Sequence, residues 1–239
     1  MGRAFEYRKA RKMKRWANMA KAFTRVGREI AIAVKEGGGD PDYNPRLRMA
    51  IQNAKAANMP KTNIENAIAK ALGKDSANYS EVVYEGYAPH GIAVIVETAT
   101  DNPTRTVANV RHIFSKYGGS LGTSGSVDYM FSRKGVFTIK KEAVNDPEEF
   151  ELEMIDHGLE ELRADEAEYI LYCDFADYGS LSKALHEMGI EPTESKLDRI
   201  PSMHKKLSDE EAEDVIKLIE KMEEDDDVLQ VFHTMDMSE

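Results

Sequence analysis

Cysteine is nearly missing from this chain. Cys173 is the single one among 239 residues, which excludes an intramolecular disulfide and any multi-cysteine zinc site and suits a reducing compartment. Long apolar runs are missing as well: none approaches the ~18 residues of a membrane span, so no membrane partner is expected. The first residues lack the apolar core of a secretory signal. Their basic, amphipathic character resembles a transit segment, but it runs straight into structural pattern, so a permanent domain is expected. Acidic residues are also scarce where the chain begins. Of the first 28 residues ten are Lys or Arg and only Glu6 is acidic, a net +9 within a chain of net −11.

The asymmetry extends further. Residues 1–74 carry 17 basic and 6 acidic side chains, net +11, whereas residues 75–239 carry net −22. Charge concentrated in this way lets one part of an acidic molecule hold a polyanion while the rest repels it. The plainer reading is a solvated helical surface, and a basic segment docking on a protein is a third.

Apolar residues at Trp16, Ala20, Phe23, Gly27, Ile30 and Val34 recur at spacings of three and four, one face of a helix. On that phase Lys14, Lys21, Arg25 and Arg28 point away from the buried stripe. Arg3, Arg8, Lys9, Arg11, Lys12 and Arg15 precede or overlap the helix and read as a basic arm. Trp16 lies on the stripe and is expected in the core rather than stacked on a base. Gly37–Gly39 and Asp40-Pro41 stop the helix. Asn44 caps the next, with Pro45 at its first position and Leu47, Ile51 and Ala54 inward. A third follows Pro60, with Thr62 and Glu65 in capping-box spacing and Ile64, Ile68 and Leu72 inward, ending at Gly73. No strand precedes the three glycines and no Gly-Lys-Ser/Thr follows them, so a nucleotide-binding P-loop is a poor reading.

Beyond Asn78 the period changes. Val82–Tyr84 and Ile92–Thr98 read as a β-hairpin, Thr104–Tyr117 as a helix and Val127–Phe131 as a strand. The glycine-rich stretch 118–126 between them is a mobile loop or a nest of amides for phosphate. From Gly135 the order β-α-β-β-α-β is a split βαβ arrangement. Ser208 caps a helix through Met222, and Asp227–Met235 is a closing strand returning to the sheet begun at Val82. Ser208 to Asp227 holds eleven acidic and two basic residues, so much of that helix is expected to face water or a basic protein. The expected class is α+β with three domains: a basic helical domain over 1–78, a central α/β domain split into 79–134 and 203–239, and an inserted unit over 135–202.

Catalytic and metal signatures are scarce. The six histidines form no HExxH or close ligand cluster, Cys173 reads as a small buried hydrophobe, and the Asp174/Asp177 pair has no accompanying base. The expectation is a non-enzyme with no cofactor and no metal.

Taken in order, Gly37-Gly38-Gly39-Asp40-Pro41, Asn44-Pro45-Arg46-Leu47-Arg48, Lys55-Ala56-Ala57-Asn58-Met59-Pro60, Tyr84-Glu85-Gly86-Tyr87, Thr100-Asp101-Asn102, Arg105-Thr106-Val107, Gly125-Ser126-Val127 and Tyr129-Met130-Phe131 resemble the YebC/PmpR family, which includes the mitochondrial translational activator of cytochrome oxidase subunit one. The likeness is strong over residues 15–135. Where the family begins with Gly-His-Ser-Lys-Trp, this chain reads Met13-Lys14-Arg15-Trp16, without the His-Ser pair. The resemblance implies three domains with a ferredoxin-like insertion. It also implies a cytoplasmic transcriptional regulator that binds promoter DNA, or a ribosome-associated factor that meets ribosomal RNA and ribosomal proteins. The phosphate-contacting set expected from charge and phase is Arg8, Lys9, Arg11, Lys12, Lys14, Arg15, Lys21, Arg25, Arg28, Arg46 and Arg48. Arg105, Arg111, Arg133 and Lys134 either extend it or pair with nearby carboxylates. Oligomeric state has no signature in the sequence.

Overall fold

A computed structural model describes residues 19–73 and 78–237, with only the backbone described for residues 19–21. Seven α-helices and two four-stranded sheets make up this part, an α+β fold. The helices are α1 (Met19–Gly37), α2 (Pro45–Ala56), α3 (Lys61–Leu72), α4 (Pro103–Lys116), α5 (Pro147–Ile155), α6 (Tyr178–Glu187) and α7 (Asp209–Glu224). The strands are β1 (Ser80–Ala88), β2 (Ile92–Thr100), β3 (Ser120–Leu121), β4 (Phe131–Lys140), β5 (Leu159–Ala164), β6 (Glu168–Asp174), β7 (Glu194–Pro201) and β8 (Val228–His233). Two compact units result. One combines the described chain up to Arg28 with 78–132 and 201–237, and the other combines 29–73 with 133–200.

In the first unit the strand order is β3-β1-β2-β8. β2 is the interior strand between β1 and β8, antiparallel to both, and this explains its unbroken apolar run: Val94 and Val96 meet the helices while Ala93 and Ile95 pack on the other face. Val110 and Phe114 of α4 and Val215, Leu218, Ile219 and Met222 of α7 close the helix face. Phe114 is fully buried, a contribution of ~1.5–3 kcal/mol for a side chain of this kind. Ser208 and Glu211 cap α7 reciprocally, each side chain bonding the other's backbone N–H.

In the second unit β4-α5-β5-β6-α6-β7 forms a sheet of order β5-β6-β4-β7. Phe137, Ile139, Leu171 and Cys173 from its strands pack on Phe150 and Met154 of α5 and Leu181 and Leu185 of α6. The rings of Phe137 and Tyr178 stack with centroids 4.7 Å apart.

The glycine run after α1 is a helix corner built around Asn44. The Asn44 amide is buried and uses both ends. Oδ1 accepts from Leu47 N at 3.0 Å as the cap of α2, and Nδ2 donates to Ala33 O at 2.7 Å and Gly38 O at 2.9 Å. Gly38 has φ +85°, a left-handed turn that favours glycine.

Two local expectations change. α3 begins directly after Pro60 with no side-chain cap, so Thr62 and Glu65 are not a capping box, and Glu65 lies 3.7 Å from Lys61 instead. The strand expected at Val127–Phe131 starts only at Phe131, after a 3₁₀ turn over Asp128–Met130. The amides of Val127 and Asp128 are taken by a side-chain carboxylate rather than a neighbouring strand.

Candidate nucleic-acid interface

Arg8, Lys9, Arg11, Lys12, Lys14 and Arg15 lie outside the described residues, as do Arg3 and Trp16, and so does the side chain of Lys21. The basic residues that are described point to a different use of charge.

Arg25 and Arg28 do not face outward. Val26, Ile30, Ile32, Ala33 and Val34 are all buried, so α1 is covered on more than the single stripe that the spacing marked. No clear outward face remains at Arg28, and its long side chain reaches sideways to acceptors instead. The Arg25 guanidinium donates to the main-chain carbonyl of Glu223 in the last turn of α7, where a cation is favoured. Arg28 Nη1 lies within 2.6–2.8 Å of Asp226 O, Ala99 O and Asp227 Oδ1, and its side chain is 14% exposed.

Asp227 is the centre of this arrangement. Its carboxylate, buried between β2, α4 and the end of α7, accepts from Arg105 Nη2 at 2.7 Å, Thr106 Oγ1 at 2.7 Å and Thr100 Oγ1 at 3.1 Å in addition to Arg28. Burial by itself would raise this carboxyl. The hydrogen bonds from Arg105, Thr106, Arg28 and Thr100 outweigh it and hold the group below the ordinary carboxylate value. Thr100-Asp101-Asn102 and Arg105-Thr106 are thereby explained locally. Asn102 caps α4 by accepting from Arg105 N at 3.1 Å, Asp101 pairs with Arg105 at 2.9 Å, and the two threonines bind Asp227. In the sequence Asp227 is one of many acidic residues expected at the surface, and nothing there separates it from Asp225 and Asp226.

The glycine-rich stretch holds an anion of the protein's own. Glu85, a buried carboxylate on β1, accepts from Gly125 N at 2.7 Å, Val127 N at 2.8 Å and Asp128 N at 2.9 Å. The nest geometry considered for phosphate is therefore taken up by Glu85. Its neighbour Gly86 has no room for a side chain: an added Cβ would lie 2.4 Å from Ser120 O and 3.0 Å from the Phe114 ring.

The remaining expected residues separate. Arg46 pairs with Glu36 at 2.7 Å. Arg133 lies over the Phe175 ring at 3.7 Å, and Lys134 is bonded to Glu160. Arg111 is exposed on α4. Arg48 is half-buried, and its Nε and Nη1 have no hydrogen-bond partner among the described residues. Of the four possible extensions Arg105, Lys134 and Arg133 are thus engaged by neighbouring groups of the protein, and Arg111 faces solvent. Among the described residues no three His, Cys, Asp or Glu side chains gather as a metal site.

Comparison with known proteins places the whole chain. A family model described as the TACO1/YebC protein N-terminal domain matches residues 3–74, and one described as the TACO1/YebC second and third domain matches residues 79–235. Proteins named "Probable transcriptional regulatory protein" from Flavobacterium johnsoniae and Porphyromonas gingivalis are each 57% identical over 235 residues, covering 98% of this chain and 99% and 97% of theirs. The crystal structure of a conserved hypothetical protein, Aq1575 from Aquifex aeolicus, superposes with a TM-score of 0.76 at 40% identity, covering 92% of this chain and 91% of that one. The chain belongs to the TACO1/YebC family.

Proposed function

We propose that this protein is a non-enzymatic, nucleic-acid-binding transcriptional regulator that holds the phosphate backbone through the basic segment ahead of and into α1. The observation that carries the reading is the division of labour among its first basic residues. Arg25 and Arg28 are spent on Glu223, Asp226 and Asp227, while Arg3, Arg8, Lys9, Arg11, Lys12, Lys14 and Arg15 precede α1 and Lys21 lies within it, against the single acid Glu6. Arg8, Lys9, Arg11, Lys12, Lys14, Arg15 and Lys21 then supply the phosphate contacts, with Arg46 and the exposed Arg111 as secondary positions. Such contacts give affinity and salt dependence with little sequence information. The name of the Flavobacterium johnsoniae and Porphyromonas gingivalis relatives, probable transcriptional regulatory protein, supports the same reading. In it, a helical amino-terminal domain binds while the split central domain and the inserted β-α-β-β-α-β unit form the other two domains.

A second reading, a translation factor on ribosomal RNA, uses the same segment and is favoured by the family's inclusion of a mitochondrial translational activator. Binding of the full chain to duplex DNA and to ribosomes over a range of salt separates the two. Cosedimentation with ribosomes and crosslinks to ribosomal RNA support the second, and recovery on promoter DNA alone supports the first. A protein that binds neither at low salt overturns both.

A further inference from the structure

Tyr129 is 75% exposed, more than any other large apolar side chain among the described residues of the first unit, yet the turn that carries it is firmly anchored. The buried Glu85 carboxylate accepts from the amides of Gly125, Val127 and Asp128, which pins the backbone up to the residue before Tyr129. On the other side Met130 packs with Tyr87 against the cluster of Ala93, Ile95, Val127, Phe131 and Phe232. The phenols of Tyr87 and Tyr129 are neighbours: burial first, and then the presence of Tyr129, raises the Tyr87 hydroxyl above its ordinary value. A ring fixed from both sides and left in solvent can meet a partner with little further loss of conformational freedom.

A second segment runs beside this turn. Ser202 N donates to Met130 O at 2.8 Å, which brings Met203, 74% exposed, and the exposed His204, Lys205 and Lys206 to the same part of the surface. Lys205 Nζ donates to His90 O at 2.7 Å, and Lys205-Lys206 is the only adjacent pair of basic residues within 78–132 and 201–237. Asp128, also exposed, offsets part of that charge.

Size decides what the patch fits. A stable protein interface covers about 800 Å² on each partner, whereas the large apolar groups exposed here are Tyr129 and Met203, and one aromatic side chain buries only ~150–250 Å². A single planar group matches that area. A nucleobase stacks on an aromatic ring whatever its identity, and only an unpaired base has a face to offer.

We propose that Tyr129 is a stacking platform for one base of a single-stranded nucleic acid, with Met203 widening the platform and Lys206 meeting the strand's phosphate. The inference rests on the nucleic-acid reading above and adds a base contact to the phosphate contacts of the amino-terminal segment.

The test is an anisotropy titration of the full chain against a labelled oligoadenylate of about 12 nucleotides and against a duplex of the same length, at several salt concentrations. Tyr129→Leu keeps apolar bulk and removes the ring. It should weaken single-strand binding at least about fivefold, the low end for loss of one base stack, while the salt slope and duplex binding stay as in wild type. Tyr129→Phe keeps the ring and should bind like wild type. Lys206→Gln should lower the single-strand slope by roughly 0.7, the share of one phosphate contact. A strand carrying 5-iodouracil should crosslink to Tyr129 on irradiation. Wild-type affinity in Tyr129→Leu, an equal loss in Tyr129→Phe or on the duplex, or crosslinks only to other residues overturns the proposal, as does a wild-type protein that binds no single strand at low salt. Duplex binding whose slope falls when Arg11, Lys12, Lys14 and Arg15 are neutralised upholds the earlier reading even then, so the two fail separately.

Discussion

Arg28 Nη1 donates to Asp227 Oδ1 at 2.8 Å across 199 residues of chain, while Arg105 Nη2 takes the other oxygen at 2.7 Å. One buried carboxylate therefore joins α1, the start of α4 and the approach to β8. Asp227→Asn removes the charge while keeping the shape, and it leaves two guanidiniums facing a neutral amide. We expect a loss of about 3 kcal/mol, the order seen when one partner of a buried ion pair is removed, measured by denaturant unfolding. A loss near zero would show that water replaces the carboxylate at no cost.

The same group gives a pH dependence of known sign. Its folded value lies below the ordinary carboxylate value of ~3.9, so its contribution is complete above that value and is lost as the pH falls through the lower, folded one. The stability gap between wild type and Asp227→Asn should be flat from neutral pH to roughly pH 5 and close below about pH 4. A gap that instead widened on acidification would reverse the assignment.

Glu85→Gln tests the loop that wraps its carboxylate. One accepting oxygen becomes an NH₂ group, which cannot accept from Gly125 N or from Val127 N and Asp128 N. A cost of about 1–3 kcal/mol follows from the unsatisfied amides. Hydrogen exchange should show faster exchange confined to residues 125–128, and protection equal to wild type there would refute the role given to Glu85.

Cys173 should be inert in the native protein. Burial, then the nearby charge of Asp177, pushes its thiol up to about 12, so almost no thiolate forms at about pH 8. Alkylation is expected only in denaturant, at one equivalent per chain. Rapid labelling of the folded protein would place the side chain elsewhere.

For nucleic-acid binding, neutralising Arg11, Lys12, Lys14 and Arg15 should lower the salt slope on duplex DNA by roughly 0.9 for each contact made, similarly across sequences. Arg28→Gln should act through stability instead, because its guanidinium is committed to Asp227. An unchanged slope in the fourfold variant together with a changed one in Arg28→Gln would reverse this division.

Most elements were legible because each has a local cause. Asn44-Pro45 and Ser208 mark helix starts by their own chemistry, and the unbroken run Ile92–Val96 marks a strand buried on both faces. The misplaced strand at Val127 failed for a non-local reason, since its amides answer to Glu85, some forty residues earlier.

The sequence by itself determined the charge separation, the α+β order of elements and the family, because composition, period and ordered motifs are properties of the chain as written. Tertiary structure alone decided what individual charges do. Asp227 and Asp226 are neighbours of the same type, yet one is buried at 3% exposure and the other lies at the surface. Arg28 and Arg111 are likewise identical in chemistry, one held by a carboxylate and the other in solvent. A side chain's electrostatic role depends on which partners distant segments bring within about 3 Å of it, and helical phase cannot carry that information once a helix is buried on more than one side.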